Sequence, residues 1–285
     1  MDEKLRILVV GGHPADVFDH CGGTMAHHIK DGDKVTCLAL TQGLRIHDAV
    51  VSEVFRFGTG DRTPEEIERI CREREEVKQN EVRKACALFG ITDVRFLSYD
   101  DKMLQVTMEM IDAVAKVIRD VRPHIICTHY PQTYGNVTNH HGNAAKITLD
   151  AASLAGTVDF DDPNPSWRTP QFAFMLDTSD SMAFNALSGA CPAVANYYVD
   201  VTDVVDLKVK ALEAMESQQY GGDYARKVIE TENGVYGLNT RHSYCEAFVM
   251  NTPEVGTKLH VSDWLILRAN EPEIDSRLRD YRLLT

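Results

Sequence analysis

The 285-residue chain lacks the features that mark membrane, exported and nucleic-acid-binding proteins. No apolar run reaches the roughly 18 residues that a transmembrane helix needs. The opening residues, Met-Asp-Glu-Lys, are not followed by the apolar stretch of a signal peptide. Acidic residues outnumber basic ones by 43 to 30, whereas nucleic-acid binding needs a basic footprint. We therefore expect no membrane or nucleic-acid partner, but a local pocket can still accept a small anionic substrate.

Cysteine is scattered along the chain rather than grouped. The seven cysteines are odd in number and never form a Cys-x-x-Cys pair, which argues against a disulfide framework and a structural zinc finger. A reducing, cytoplasmic location is therefore predicted. Internal repeats and low-complexity tracts are also missing. The length predicts one domain over 1–285, with a core at 1–218 and a C-terminal extension at 219–285 packing on it.

Apolar, β-branched runs alternate with helical patterns along most of the chain. Residues 5–11 and 34–40 are predicted strands on either side of a helix at 20–31, and such a β-α-β unit implies a parallel sheet in an α/β fold. A long helix, broken once, is predicted at 64–89. The other predicted segments are an irregular loop at 44–63, helices at 107–121, 140–154 and 202–215, and strands at 94–98, 123–129, 172–176, 197–201, 244–250 and 264–267.

Three potential metal ligands follow the first and fourth predicted strands. His13 and Asp16 share one turn after strand 1, and His141 lies at the helix start after strand 4. Ligands bind at the carboxyl ends of the strands in open α/β folds, so the three side chains can converge there. His13 alone could simply pack against the sheet. Three nitrogen and oxygen ligands with an open fourth position are instead typical of a catalytic zinc site.

These residues form part of a pattern that resembles the PIG-L/LmbE-like family of zinc-dependent deacetylases over nearly the whole chain. The pattern comprises an apolar strand, Gly12-His13-Pro14-x-Asp16, Gly22-Gly23-Thr24, Thr-x-Gly after strand 2, and His141. Further matches are Lys78 with Glu81, 88–90, 199–202, Lys208, 217–218 and 244–248. The resemblance implies a Rossmann-like three-layer sandwich with a mainly parallel sheet. It also implies Zn²⁺ held by His13, Asp16 and His141, and a homo-oligomer.

The chain departs from the deacetylase pattern where protons are handled. Deacetylases of the family have His-Pro-Asp-Asp, in which the first Asp is the general base; that position is Ala15 here. Their later His-Pro-Asp-His motif is replaced by Thr138-Asn139-His140-His141. Two proton-handling positions are therefore lost, at Ala15 and Thr138, and a third changes from Asp to His at His140. An alanine cannot accept a proton. The resemblance therefore implies the family's metal site with altered chemistry.

One branch of the family also has Ala before the ligand Asp. These are the 4-oxalomesaconate (4-carboxy-2-hydroxymuconate) hydratases of aromatic compound catabolism, which add water to a conjugated double bond. The resemblance implies, for that branch, proton-transfer groups after strands 2 and 5. These positions fall on His47, or the adjacent Asp48, and on Asp177. His47, Asp177 and His140 are therefore the candidate acids and bases.

Binding an anionic substrate requires cationic or polar side chains at the same edge. Arg45 and Arg241 are candidates because an arginine can hold a carboxylate through two hydrogen bonds, although either could be an ordinary surface residue. His129 ends strand 4 and could bind substrate or support a metal ligand. Glu246 could likewise contact substrate or brace a ligand histidine.

Three functions remain open from the sequence. The first is a zinc-dependent hydratase acting on a small unsaturated oxo-carboxylic acid. The second is a zinc N-deacetylase or amidohydrolase acting on a sugar-like or small amide substrate, with His140 or Asp177 replacing the missing Asp. The third is a non-enzymatic protein that binds a metal or ligand. Retention of all three ligands favours an enzyme.

Overall fold

A computed structural model describes residues 4–131, 140–176, 194–253, 255–272 and 274–275. The strands in these ranges are β1 (Arg6–Gly11), β2 (Lys34–Thr41), β3 (Asp93–Tyr99), β4 (Ile125–His129), β5 (Gln171–Leu176), β6 (Tyr197–Asp200) and β7 (Cys245–Met250). The α-helices are α1 (Gly22–Lys30), α2 (Ala49–Val54), α3 (Pro64–Leu88), α4 (Met108–Val121), α5 (His140–Ala155), α6 (Val205–Glu213), α7 (Asp223–Thr231), α8 (Asn233–Thr240) and α9 (Asp263–Asn270). Short 3-10 helices cover Ala15–Val17 and Glu216–Gln218.

The strands form one sheet in the order β3-β2-β1-β4-β5-β7-β6. β1 pairs in parallel with β2 and β4, and parallel pairing continues from β2 to β3 and from β4 to β5. β7 runs antiparallel to β5 and β6. The predicted mainly parallel sheet is therefore confirmed. β7 comes from the predicted C-terminal extension and lies inside the sheet, while the assignment of 1–285 to one domain stays a prediction.

Side chains of the central strands alternate between two apolar layers. In β1, Ile7 and Val9 pack in a cluster that includes residues of α1, α3 and α6. Leu8 and Val10 point to the opposite face and pack with residues of α4 and α5. This period of two is the signature of a strand buried on both faces. Helices therefore cover both faces, as the predicted three-layer sandwich requires.

The long helix α3 is continuous, which corrects the predicted break. Its start is fixed by a capping box, in which Thr63 Oγ1 accepts from the Glu66 amide at 3.3 Å and the Glu66 carboxylate accepts from the Thr63 amide at 2.8 Å. Pro64 occupies the first helical position, and neither Gly nor Pro follows until Gly90. In the described ranges, no helix is long and apolar enough to cross a lipid bilayer.

Residues 264–267 lie in α9, so the predicted strand there is wrong. The Ser262 hydroxyl accepts from the Leu265 amide at 3.2 Å and caps the helix. A run of four apolar residues is too short for its periodicity to distinguish a strand from a helix. The Ser262 cap is the local feature that favours the helix. The predicted irregular loop at 44–63 also contains the short helix α2, capped by the Asp48 carboxylate, which accepts from the Val51 amide at 2.9 Å.

A buried ion pair joins β7 to α1 and α6. The carboxylate of Glu246 accepts from the Gly23 and Thr24 amides at 2.9 and 2.7 Å and is paired with Lys208. Lys208 Nζ also donates to the Asp19 carbonyl at 2.7 Å. The negative carboxylate thus satisfies the amides at the positive end of α1. The same contacts fix the loop after β1.

Replacing Lys208 with Met should destabilise the protein by about 3–5 kcal/mol, because Glu246 is left as a buried carboxylate without its cation. The measurement is urea unfolding followed by circular dichroism. Lys210→Met is the matched control, since Lys210 is exposed on the same helix. Equal stability of the two variants would contradict a structural role for the buried pair.

Candidate active site

The parallel neighbours β1 and β4 bring the three predicted ligands together at the carboxyl edge of the sheet. β1 leads into the 3-10 helix Ala15–Val17, which contains Asp16, and α5 starts at His140 after β4. The ligand atoms of His13, Asp16 and His141 all lie within 4.8 Å of one another. The convergence expected from the sequence is therefore present.

The spacing of these atoms suits a zinc ion. Asp16 Oδ2 is 3.3 Å from His13 Nδ1 and 3.5 Å from His141 Nε2. A tetrahedral ion with bonds of about 2.0–2.1 Å places neighbouring ligand atoms about 3.3–3.4 Å apart. His13 Nδ1 is buried and has no hydrogen-bond partner in the described part of the chain. Burial and the proximity of His129 lower the pKa of His141 to about 3, so its imidazole is neutral, as a metal ligand must be.

His140 lies behind His13. The Nε2 of His13 is 2.9 Å from the Nδ1 of His140. If His13 presents its Nδ1 to a metal, its Nε2 carries the proton and donates to His140, whose own proton is then on Nε2. Burial, and then the charge of His13, lowers the pKa of His140, which favours this neutral form. His140 therefore fixes the orientation of a ligand and presents a second N–H.

His47 packs on the other side of His13. The two rings meet edge to face with centroids 4.6 Å apart. Burial, and then His13, lowers the pKa of His47 to about 4, so the ring is neutral at pH 7. The loop after β2, which carries His47, is fixed by the fully buried Lys78, whose Nζ donates to the His47 carbonyl at 2.8 Å. Gly43 is required at the start of this loop, since its φ is +62° and an added Cβ would lie 2.6 Å from Pro14.

His129 supports two ligands at once. Its Nε2 lies 3.0 Å from Asp16 Oδ2, and its ring stacks on His141 with centroids 4.0 Å apart. The Gly12 amide approaches the same nitrogen at 3.2 Å. The position favours bracing of the ligands over the predicted contact with substrate.

Two other predicted substrate contacts are already engaged elsewhere. The guanidinium of Arg45 forms two hydrogen bonds with Asp100, at 2.6 and 2.7 Å, and both side chains are exposed. Glu246 is buried and bonded to Lys208 and the start of α1. Contact of either residue with substrate therefore stays a prediction. Their partners are distant in sequence, so no local pattern reveals them.

For the remaining candidate residues, the described part of the chain shows no contact with the three ligands. Arg241 is exposed and ends α8 in the left-handed region, with φ 61°. Its contact with substrate stays a prediction. Asp177, Thr138 and Asn139 lie outside the described residues.

Asp19 and His20 form a pair close to the site that the sequence analysis did not include among the candidates. His20 Nε2 lies 3.3 Å from Asp19 Oδ1, and His20 Nδ1 lies 3.5 Å from a Glu232 carboxylate oxygen. The His20 ring is 6.2 Å from that of His129. Burial raises the pKa of Asp19 to about 7; His20 opposes this rise, whereas Asp16 and Glu232 add to it. The adjacent Asp-His in the loop after strand 1 was the available signal.

The family model described as PIG-L, GlcNAc-PI de-N-acetylase, matches residues 8–152. A diacetylchitobiose deacetylase from Thermococcus kodakarensis is 25% identical over 243 residues, covering 85% of this chain and 81% of the relative. A 1D-myo-inositol 2-acetamido-2-deoxy-alpha-D-glucopyranoside deacetylase from Rhodococcus erythropolis is 28% identical over 256 residues, covering 75% and 81%.

The fold is also similar to a solved structure from the other branch that the sequence resembles. The 4-carboxy-2-hydroxymuconate hydratase from Pseudomonas putida KT2440 superposes with a TM-score of 0.69 at 19% identity, covering 90% of this chain and 100% of that structure. At this identity the similarity supports the fold and does not distinguish between the two reactions.

Asp19 should make the stability of the metal-free protein fall as pH rises from about 4 to 7. Its carboxyl has a pKa of about 7 in the folded state against 3.8 for the ordinary group, so the folded state holds the proton more tightly. This contribution is complete below pH 4 and is lost on passing through pH 7. The stability of Asp19→Asn relative to wild type should therefore increase over this range in urea unfolding with a chelator present.

Asp33→Asn is the control with the opposite sign. Burial raises the pKa of Asp33, but the hydrogen bonds from His28 and the Leu5 amide outweigh it, and the pKa is lowered. This variant should lose stability relative to wild type as pH rises through the acid range. A constant difference between Asp19→Asn and wild type from pH 4 to 7 would contradict the assigned environment of Asp19.

Proposed function

Because the chain belongs to the PIG-L family, we propose that it is a zinc-dependent hydrolase that cleaves the N-acyl bond of a small, sugar-like amide. The observation that carries this proposal is the His13, Asp16 and His141 group, which has the ligand types and spacing of a zinc site at the ligand-binding edge. Two curated relatives with over four-fifths of their length matched are deacetylases of N-acetylated sugars, which supports this substrate class.

The residues around the ligands would have different roles in the reaction. Zinc, when bound by His13, Asp16 and His141, supplies a Lewis acid that polarises a carbonyl and increases the acidity of water. His129 and His140 hold the ligands in place. His47 and His140 are neutral imidazoles beside His13, so each can donate one hydrogen bond to the acyl oxygen as charge develops there.

Hydration of a conjugated double bond is the second candidate. The observation that favours it is Ala15, which is buried beside the ligands where the deacetylase pattern has a general base. Adding water to carbon needs no protonation of a departing amine, so the demand on that position differs. The comparisons support deacetylation better than hydration, which reverses the order expected from the sequence.

The two reactions give different products in one screen. With zinc present, incubation with N,N'-diacetylchitobiose and smaller N-acetylated sugars should release acetate and a primary amine. A panel of unsaturated oxo-carboxylic acids should show no loss of ultraviolet absorbance. The reverse pattern would replace the first proposal with the second.

His141→Ala should reduce acetate release by roughly 100-fold or more, since even loss of a residue that supports a zinc ligand costs about 10–100-fold. Zinc bound per protein, measured by atomic emission after dialysis, should fall in parallel. His28→Ala is the matched control, because His28 lies on α1 and pairs with Asp33 rather than with the site. Wild-type turnover and zinc content in His141→Ala would contradict the assigned site.

A further inference from the structure

The turn after β1 carries Ala15, where the deacetylase pattern has a carboxylate, and also carries Asp19. The amides of Phe18 and Asp19 both donate to the Ala15 carbonyl, at 3.0 and 3.1 Å. These bonds close a tight turn that brings the backbone of residue 19 back to residue 15. The side chain at 15 ends at its Cβ. A carboxylate is therefore present at 19, on the same turn that carries a carboxylate at 15 in the deacetylase pattern.

Asp19 is anchored through its backbone, and one oxygen of its carboxyl has no hydrogen-bond partner among the described residues. Its backbone carbonyl accepts from Lys208 Nζ at 2.7 Å, which fixes the residue against α6. Its Oδ1 is buried and has no hydrogen-bond partner in the described ranges, and His20 Nε2 lies 3.3 Å from it. An oxygen in this state is available to accept a proton.

His20 connects Asp19 to the rest of the site. It stands between Asp19 and Glu232, with nitrogen to oxygen distances of 3.3 and 3.5 Å. Its ring also packs 6.2 Å from His129, whose Nε2 is 3.0 Å from the ligand Asp16. The half-buried Asp19 side chain is therefore connected to the ligands through His20 and His129.

We propose that Asp19 is the proton acceptor for the attacking water, in place of the carboxylate missing at Ala15. The assignment rests on the proposed hydrolysis. The water gives one proton to the Asp19 carboxylate while its oxygen bonds to the acyl carbon. The carbon–nitrogen bond then breaks, and Asp19 passes that proton to the departing nitrogen. The products are a carboxylic acid and an amine, and Asp19 returns to its ionised form.

The electrostatics of the site agree with this role. Burial raises the pKa of Asp19 to about 7; His20 and Lys208 oppose the rise, and Asp16 and Glu232 strengthen it. A carboxyl that titrates near the working pH can both take up and release a proton. An ordinary aspartate, with a pKa of about 4, is a weaker base.

Three variants test the assignment: Asp19→Asn, Ala15→Asp and the double variant. Asp19→Asn should lower kcat for acetate release by roughly 100-fold or more, the usual contribution of general acid–base catalysis. Its affinity for Zn²⁺, measured by competition with a chelator, should stay within a factor of about 3 of wild type, since Asp19 is not a ligand. The double variant restores a carboxylate at 15 and should recover at least roughly tenfold of the lost activity.

Asp33→Asn is the matched control, an acid removed from outside the site, and should keep wild-type kcat. Wild-type kcat in Asp19→Asn would overturn the assignment. So would a loss of Zn²⁺ affinity large enough to explain the loss of activity. Recovery only in the double variant separates a proton acceptor from a structural role, because a structural defect at 19 would not be repaired at 15.

Failure of the proposed function is a separate outcome, seen as no acetate release by wild type. Asp19 is then tested in the zinc-loaded protein by carboxyl ¹³C NMR, with Asp19→Asn identifying its signal. A titration midpoint clearly above the ordinary value of about 4 supports Asp19 as the proton acceptor for another reaction of water. A midpoint near the ordinary value of about 4 overturns it.

Discussion

Everything at the site depends on the parallel pairing of β1 with β4. Their register sets Ile7 opposite Ile125 and Val10 opposite Thr128, so the two strands end at the same edge. One loop carries His13 and Asp16, and the other strand leads through His129 towards α5. Backbone hydrogen bonds between the two strands thus bring together site residues that are more than a hundred positions apart in sequence. Side chains then refine the geometry of the site.

The refinement centres on one buried carboxylate. Asp16 Oδ2 accepts from the His13 amide at 2.7 Å and lies within 3.5 Å of three imidazoles. Burial raises the pKa of Asp16, but His141, His13 and His129 together hold it well below its ordinary value. The carboxylate is therefore ionised in an interior where charge is costly. A divalent cation bound by the same atoms would compensate that cost, and this agrees with zinc chemistry.

The sequence predicts the parts of the molecule that follow from local pattern. The buried strand 5–11, the β-α-β unit after it and the three ligands were all accessible, because strand ends in a parallel sheet share one edge. Pattern fails where a distant partner decides. Glu246 is bonded to the start of α1, and Arg45 is paired with Asp100. Neither partner is near in sequence, so no local pattern reveals these contacts.

The same distinction applies to Asp19. A carboxylate near a metal motif carries no special signal in a sequence. Its proposed role comes from the buried Oδ1, which has no hydrogen-bond partner among the described residues, and from the turn that it shares with Ala15. The protonation states of His47 and His140 also depend on three-dimensional surroundings, because burial and the neighbouring His13 lower the pKa of both imidazoles. Residue type can thus locate a site, while the assignment of protons requires its three-dimensional surroundings.

X-ray absorption at the zinc edge tests whether His13, Asp16 and His141 form a zinc centre. We expect one zinc per chain with only nitrogen and oxygen neighbours at about 2.0–2.2 Å, and outer-shell scattering from imidazole rings. Substitution of His13 by Ala should reduce the imidazole scattering, because only His141 remains, or remove the metal itself. Sulfur neighbours at about 2.3 Å, or a spectrum unchanged by the substitution, would contradict the account.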